Sequence, residues 1–364
     1  MAIQRAGAEI FDLLASAVRK DFPIYALVVA YIALSALSAH HLGFLENFSL
    51  LIYPGLTLKA LAFASSLAIA AYGMYVMLVL RPKRPVRLLL NRLAECCCTP
   101  IFFRGLLLFP VVVLFFSAMS SFKTLILPTM NFSWDHQLME LDKWLHAGVD
   151  PWQIIDPFLG GELVTFVLNV VYNLWFFIMF AVLFWFMFLA RNEVLRMRFL
   201  ITFVLCWAVN GSLLAMIFAS SGPGFFQYLY PEQPNPYQGL VESLQAADHI
   251  YPVWALATQQ LLWDIYQSGE TGAGGGISAM PSMHVSIACL IFMVSRQHGW
   301  RVSVLGGVFL LVIFLGSVRL AWHFAVDGYL ALLTSGIIWV ASGPVANKFV
   351  TRTEPLTVPI SSYS

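Results

Sequence analysis

The chain has 364 residues and a formal net charge of +1; 60% of the residues are hydrophobic, 11% are charged, and the mean hydropathy is +0.78. Globular domains carry about 25% charged residues, and no water-soluble core hides this share of apolar side chains, so the implied solvent is lipid and the class an all-α, polytopic membrane helix bundle. A balance this close to neutral leaves no electrostatic footprint for a nucleic-acid partner.

In chain order, Ile10, Leu13, Leu14, Ala17 and Val18 recur at helical spacing, which predicts a short amphipathic helix lying on the membrane over residues 1–22. Arg19 and Lys20 follow these apolar positions, the reverse of a cleavable signal. Apolar run length then predicts about eight spans, near 23–43, 59–80, 101–122, 162–190, 199–219, 281–295, 302–319 and 325–345. Between the second and third lies RPKRPVRLLLNRLAE, whose Arg81, Lys83, Arg84, Arg87 and Arg92 read as a cytoplasmic anchor. Alternating the spans from that anchor places both termini, 81–100, 191–198 and 295–301 inside. Lys59, Lys123, Lys143 and Arg319 are left on the outer, periplasmic or lumenal, face. The division expected is an N-terminal region over 1–100, a catalytic membrane domain over 101–345 and a cytoplasmic tail over 346–364.

Two long loops, 123–161 and 220–280, fall on that outer face. The first holds WDHQLMELDKWLHAGVDPW, in which Asp135, His136, Asp142 and His146 read as polar residues of a helix surface; the second opens on the turn-rich Ser220-Ser221-Gly222-Pro223-Gly224. Structureless loops of this length serve as lids or headgroup pockets. The five cysteines, Cys96, Cys97, Cys98, Cys206 and Cys289, form no CxxC or Cys/His metal spacing, so neither a disulfide framework nor a metal or other cofactor is expected.

The chemistry concentrates in residues 274–328, where two polar clusters interrupt an apolar stretch: Pro281-Ser282-Met283-His284, and Arg319 with His323 and Asp327. One span in and one span back bring both clusters to the same membrane face. His323 and Asp327, four apart, stack on one side of a helix, so the carboxylate can hold the imidazole. A single histidine at a helix end is more often an interfacial hydrogen-bonder, but two histidines and a carboxylate converging beside lipid mark a site. A helix starting at Pro281 aims the N–H groups of Ser282, Met283 and His284 at a phosphate. Lys123 and Arg319 are the nearby cations. His323, aligned by Asp327, is the expected nucleophile and His284 the acid for the departing oxygen.

These residues carry a resemblance. PSMH over 281–284 followed by His323-x3-Asp327 resembles the signature motifs of the type-2 phosphatidic-acid phosphatase superfamily, and SAMPSMH with WHFAVD is most similar to its inositolphosphotransferase branch, related to inositol-phosphorylceramide synthases. The resemblance implies a six-helix membrane core and a phosphohistidine at His323, with His284 as acid and Asp327 as orienter. Two departures stand out. Met130-Asn131 occupies the place where the family has an Arg-Pro pair after Lys123. Arg319 lies four residues before His323, where the family places its Arg six before, the slot of Ser317 here. Fewer fixed cations suit a singly charged phosphodiester, so the expected activity is transfer of a phospho-headgroup from a phospholipid to a lipid or polyol alcohol. Hydrolysis of lipid phosphate monoesters is the alternative reading, and a proton-coupled transporter the more distant one.

Overall fold

The structure, a computed structural model, describes residues 2–97, 99–130, 132–268 and 276–352. Among them every regular element is helical. Helix α1 (Ala2–His41) is followed by α2 (Pro54–Tyr75, prolonged by a π turn to Leu80), α3 (Pro85–Cys97) and α4 (Pro100–Met130). The short α5 (Asp135–Leu145) and α6 (Pro151–Leu159) lead into α7 (Glu162–Phe188) and α8 (Glu193–Ala208, carried on by a π turn to Leu214). Two more short helices, α9 (Gln238–Asp248) and α10 (Trp254–Ser268), precede α11 (Met283–Ser295), α12 (Trp300–Arg319) and α13 (Ala325–Val350).

Seven of these runs are long and apolar enough to cross a membrane, and α11 is a shorter apolar helix of 13 residues. The polytopic all-α bundle expected from composition is therefore the architecture. At 1.5 Å per residue α11 rises about 20 Å, short of the ~30 Å hydrocarbon core; it is buried along most of its length between α12, α13, α8 and α7. Apolar side chains such as Leu78, Phe177, Leu305 and Val340 stay exposed on the outside of the bundle, as a lipid solvent allows and water does not.

The amino terminus differs from expectation. The amphipathic segment and the first span form one continuous helix that runs through Pro23. Asp21, within the segment expected on the membrane surface, is fully buried, bonded by Arg104 of α4 (2.6 and 3.1 Å) and paired with Arg196 of α8. Arg104 also grips Glu193 at 2.7 and 2.8 Å. A desolvated carboxylate needs such partners, and the cluster ties α1 to the bundle at the end opposite the histidines. There Pro85–Cys97 forms the basic amphipathic α3.

The two loops expected at 123–161 and 220–280 are not structureless. Each is folded into short helices, α5 and α6, α9 and α10, which cap the end of the bundle that carries His284 and His323.

Candidate active site

The site sits where two chain reversals meet. The Ser282 side chain caps α11, accepting from the Val285 N–H at 3.4 Å, so α11 begins at Met283 and Pro281 precedes the cap instead of opening the helix. The Ser282 N–H, expected to face phosphate, donates to the Asp327 carbonyl at 3.2 Å. Ser282 thus fastens α11 to α13 and stands outside the cavity lining, whereas Met283 and His284 line it.

His323 also sits differently from the expectation of one helix. Helix α12 ends at Arg319, Ala321 adopts the left-handed region at φ +58°, and the N–H groups of Trp322 and His323 both donate to the Ser317 carbonyl at 3.1 Å. This is a left-handed helix exit held by a non-glycine residue, a conformation that costs about 1–3 kcal/mol and persists where the surroundings enforce it. His323 lies just ahead of α13, and Asp327 in the first turn of α13. The Asp327 Oδ2 accepts from the Phe324 N–H at 3.0 Å and stands 3.3 Å from His323 Nδ1. Such a separation is long for a hydrogen bond. With Nδ1 turned to the carboxylate, Nε2 is the nitrogen left for chemistry.

His284 faces His323 across a ring-centroid distance of 6.3 Å. Among the described residues no carboxylate holds it. Instead Tyr172 stacks on it at 4.3 Å and Trp175 at 4.2 Å, and the Trp175 indole N–H donates to the His284 carbonyl at 3.0 Å. The buried Tyr172 hydroxyl has no partner among the described residues and belongs to the cavity lining.

Both imidazoles open into a cavity of about 550 Å³ that Lys123 also lines. Gly276, at φ +93°, lies against the Lys123 backbone, where an added Cβ would come within 3.0 Å of the carbonyl oxygen; this close approach is the use of the last glycine in the run. Arg319, expected beside the phosphate, is committed elsewhere. It is fully buried and its guanidinium donates to the carbonyls of Leu159 (3.3 Å) and Gly160 (3.2 Å) and to Ser243 Oγ (2.9 Å). Those contacts fix the end of α6 and α9, away from the cavity lining. Of the Met130-Asn131 pair that stands where the resemblance has Arg-Pro, Met130 ends α4 and Asn131 lies outside the described residues.

The bracing carboxylates are what sequence reasoning passed over. Asp142 Oδ2 and Oδ1 accept the N–H groups of Ala325 (2.9 Å) and Val326 (3.0 Å), the open N-terminal donors of α13. Asp135 accepts from the Ser221 N–H (2.9 Å), the Ser221 hydroxyl (2.9 Å) and the Gly222 N–H (3.2 Å). Burial pushes each carboxyl up to about 6, against the donors that pull it down. The 220–224 loop held by Asp135 joins the two histidine-bearing stretches: Ser220 accepts from the N–H groups of Ala279 (2.9 Å) and Met280 (3.2 Å), and the Gly224 N–H donates to the Ala321 carbonyl at 2.8 Å. Gly222, at φ +91°, passes so close to Trp322 that a Cβ would meet its carbonyl oxygen at 2.5 Å. Asp135 and Asp142 are seven residues apart, one helical face, and that spacing was the available signal. His146 joins them, its Nδ1 meeting the Asp142 carbonyl at 2.6 Å and its Nε2 the Tyr329 hydroxyl at 2.9 Å.

Among the described residues no group of His, Cys, Asp and Glu has the arrangement of a metal site. A sequence profile described as the PAP2 superfamily matches residues 136–341, more than half of the chain. The matched segment includes both histidines and Asp327 and leaves out α1–α4 and Lys123. No curated protein and no solved structure matches the chain.

Proposed function

The chain belongs to the PAP2 superfamily of membrane phosphatases and phosphotransferases, and from that premise we propose that it is a lipid phosphotransferase working through a phosphohistidine at His323. The observation that carries the reading is the pair of imidazoles facing one cavity at 6.3 Å, one oriented by a carboxylate and the other stacked between aromatic rings.

A phosphoryl group placed between the rings meets His323 Nε2 on one side. The P–N bond forms as the P–O bond to the lipid alcohol breaks, and His284 gives its proton to the departing oxygen. Asp327 stabilises the charge that develops on the His323 ring. In the second step an acceptor alcohol surrenders its proton to His284, its oxygen bonds to phosphorus, the P–N bond breaks and His323 is restored. Lys123 offsets phosphoryl charge throughout. It is the one Lys or Arg among the described residues lining the cavity, which supports a singly charged diester as donor over a dianionic monoester. Membrane lipids supply donor and acceptor, and the basic α3 at the far end supports a periplasmic or lumenal site.

The test is a phosphoprotein and product assay on the purified chain. His323→Ala is expected to lose both turnover and the acid-labile phosphoprotein, and the wild type to turn over a phospholipid diester faster than phosphatidic acid, with an alcohol outcompeting water. Retention of most activity by His323→Ala sinks the mechanism. Rapid release of inorganic phosphate from a lipid monoester with all diesters intact removes the transferase reading and leaves a lipid phosphatase.

A further inference from the structure

The cavity does not end at the histidines. On α4 its lining runs Phe109, Val112, Phe116, Met119 and Lys123, and on α7 it runs Tyr172, Phe176, Met179, Leu183 and Phe184. Each is one continuous helical stripe, polar at the site and apolar below it. The twelve residue steps from Tyr172 to Phe184 rise about 18 Å and the fourteen steps from Lys123 back to Phe109 about 21 Å, so the two walls agree in depth. That depth exceeds one leaflet, about 15 Å of hydrocarbon. The rings of Phe109 and Phe184 meet at 6.1 Å and close the far end. Phe176 is 50% exposed and Phe180 36%, which leaves the groove open along its lipid side.

We propose that this groove holds one acyl chain of the lipid alcohol that leaves phosphorus, and measures its length. The assignment rests on the phosphotransfer reading only for which alcohol it is. The groove departs from Tyr172, whose ring stacks on His284, and His284 is the group that protonates the leaving oxygen. A tail attached to that oxygen therefore descends along α7. An extended hydrocarbon advances about 1.3 Å per carbon with C–C bonds of about 1.5 Å, so about 18 Å accommodates about fourteen carbons. A cavity of about 550 Å³ is that of one small-molecule site, so a second tail stays in the bilayer. Half the groove wall comes from α4, which lies outside the segment matched by the superfamily, and half from α7, which lies inside it.

A tail entering the groove leaves lipid, not water, so selection comes from fit and the length profile is peaked. The experiment measures binding of straight-chain alkylphosphonates of 8 to 20 carbons to the full-length protein in lipid nanodiscs; their P–C bond cannot be transferred, so binding is read without turnover. The wild type is expected to peak near 14 carbons, with about tenfold weaker binding at 8 and 20. Met179 stands seven residues below Tyr172, about 10 Å, so Met179→Trp should move the peak to about 8 carbons. Phe184→Ala, at a position 36% exposed, should remove the penalty on 18 and 20 carbons. A flat profile in the wild type, or a Phe184→Ala profile identical to the wild type, overturns the proposal. If the peak and its shifts appear but no lipid yields a phosphoprotein, the groove stands and the phosphohistidine mechanism falls; if a phosphoprotein forms and chain length has no effect, the groove alone falls.

Discussion

Asp142 is expected to control catalysis without touching substrate. Its two oxygens hold the first N–H groups of α13 at 2.9 and 3.0 Å, one turn from His323 and beside Asp327. Asp142→Asn keeps one acceptor and presents an NH₂ to the other donor. A lost bond to an ionised group in a buried site is worth about 1.5–3 kcal/mol, and strain of that size placed on the His323–Asp327 geometry lowers phosphoenzyme formation by about ten- to a hundredfold. The pH dependence separates catalysis from folding. Burial holds the Asp142 carboxyl at about 6, above its ordinary 3.8. As pH falls through about 6 it takes up a proton, one oxygen stops accepting, and activity declines. Stability moves the other way. A raised pKa means that the native state binds the proton more tightly, so this group's contribution to stability is complete below about 3.8 and is lost as pH rises through about 6. Single-turnover rates and thermal unfolding measured between pH 4.5 and 7.5 should therefore diverge in the wild type, and Asp142→Asn should weaken both trends, leaving the part that Asp135 contributes, while binding lipid normally. An Asn variant with the wild-type rate and pH profile would show that the brace does not govern the site.

Two further outcomes follow from the placement of charges. Arg319→Met should lower the unfolding temperature by several degrees through the loss of three buried hydrogen bonds, yet leave the ratio of diester to monoester turnover unchanged; a changed ratio would return Arg319 to the phosphate. A cysteine placed in the exposed part of 232–248 should react with an impermeant maleimide from the periplasmic or lumenal side and one in 81–92 should not, because α3 carries the basic run and α9 caps the catalytic end; inverted labelling would move the site to the cytoplasm.

The spans were legible because a bilayer demands long apolar runs, and such runs survive in sequence without any tertiary information. His284, His323 and Asp327 were legible because titratable groups stand out against that background. Their local geometry was not. The four-residue spacing of His323 and Asp327 suited a helix, but the chain reverses at Ala321, and the carboxylate reaches back from the first turn of α13. Arg319 was misread because proximity in sequence to His323 says nothing of direction: at the end of α12 it turns toward Leu159 and Gly160. Asp135 and Asp142 carried the ordinary look of a polar helix surface, and only the fold shows that surface to be an interior one, 1% and 3% exposed. Tyr172 and Trp175 were hidden for the opposite reason, being two more aromatics in a helix full of them.

The count of charges in the cavity bears on which phosphate it accepts. The proposed first step requires a proton on His284, which with Lys123 makes two positive charges, set against two negative ones on Asp327 and a phosphodiester. The set is neutral, and a buried neutral set avoids most of the desolvation that isolated ions suffer. A monoester adds one negative charge that no described cation of the cavity lining answers, since Arg319 is bonded to α6 and α9. Asp135 and Asp142 sharpen the imbalance. Both lie close enough to Asp327 for its charge to raise them, so a dianion would enter a region already rich in carboxylates. Mutual repulsion of this kind is relieved by protonating the braces, which loosens the turn that holds His323. A site braced by acids and lined by one lysine among the described residues therefore supports the proposed monoanionic donor, and a diester-to-monoester turnover ratio below one would refute that match.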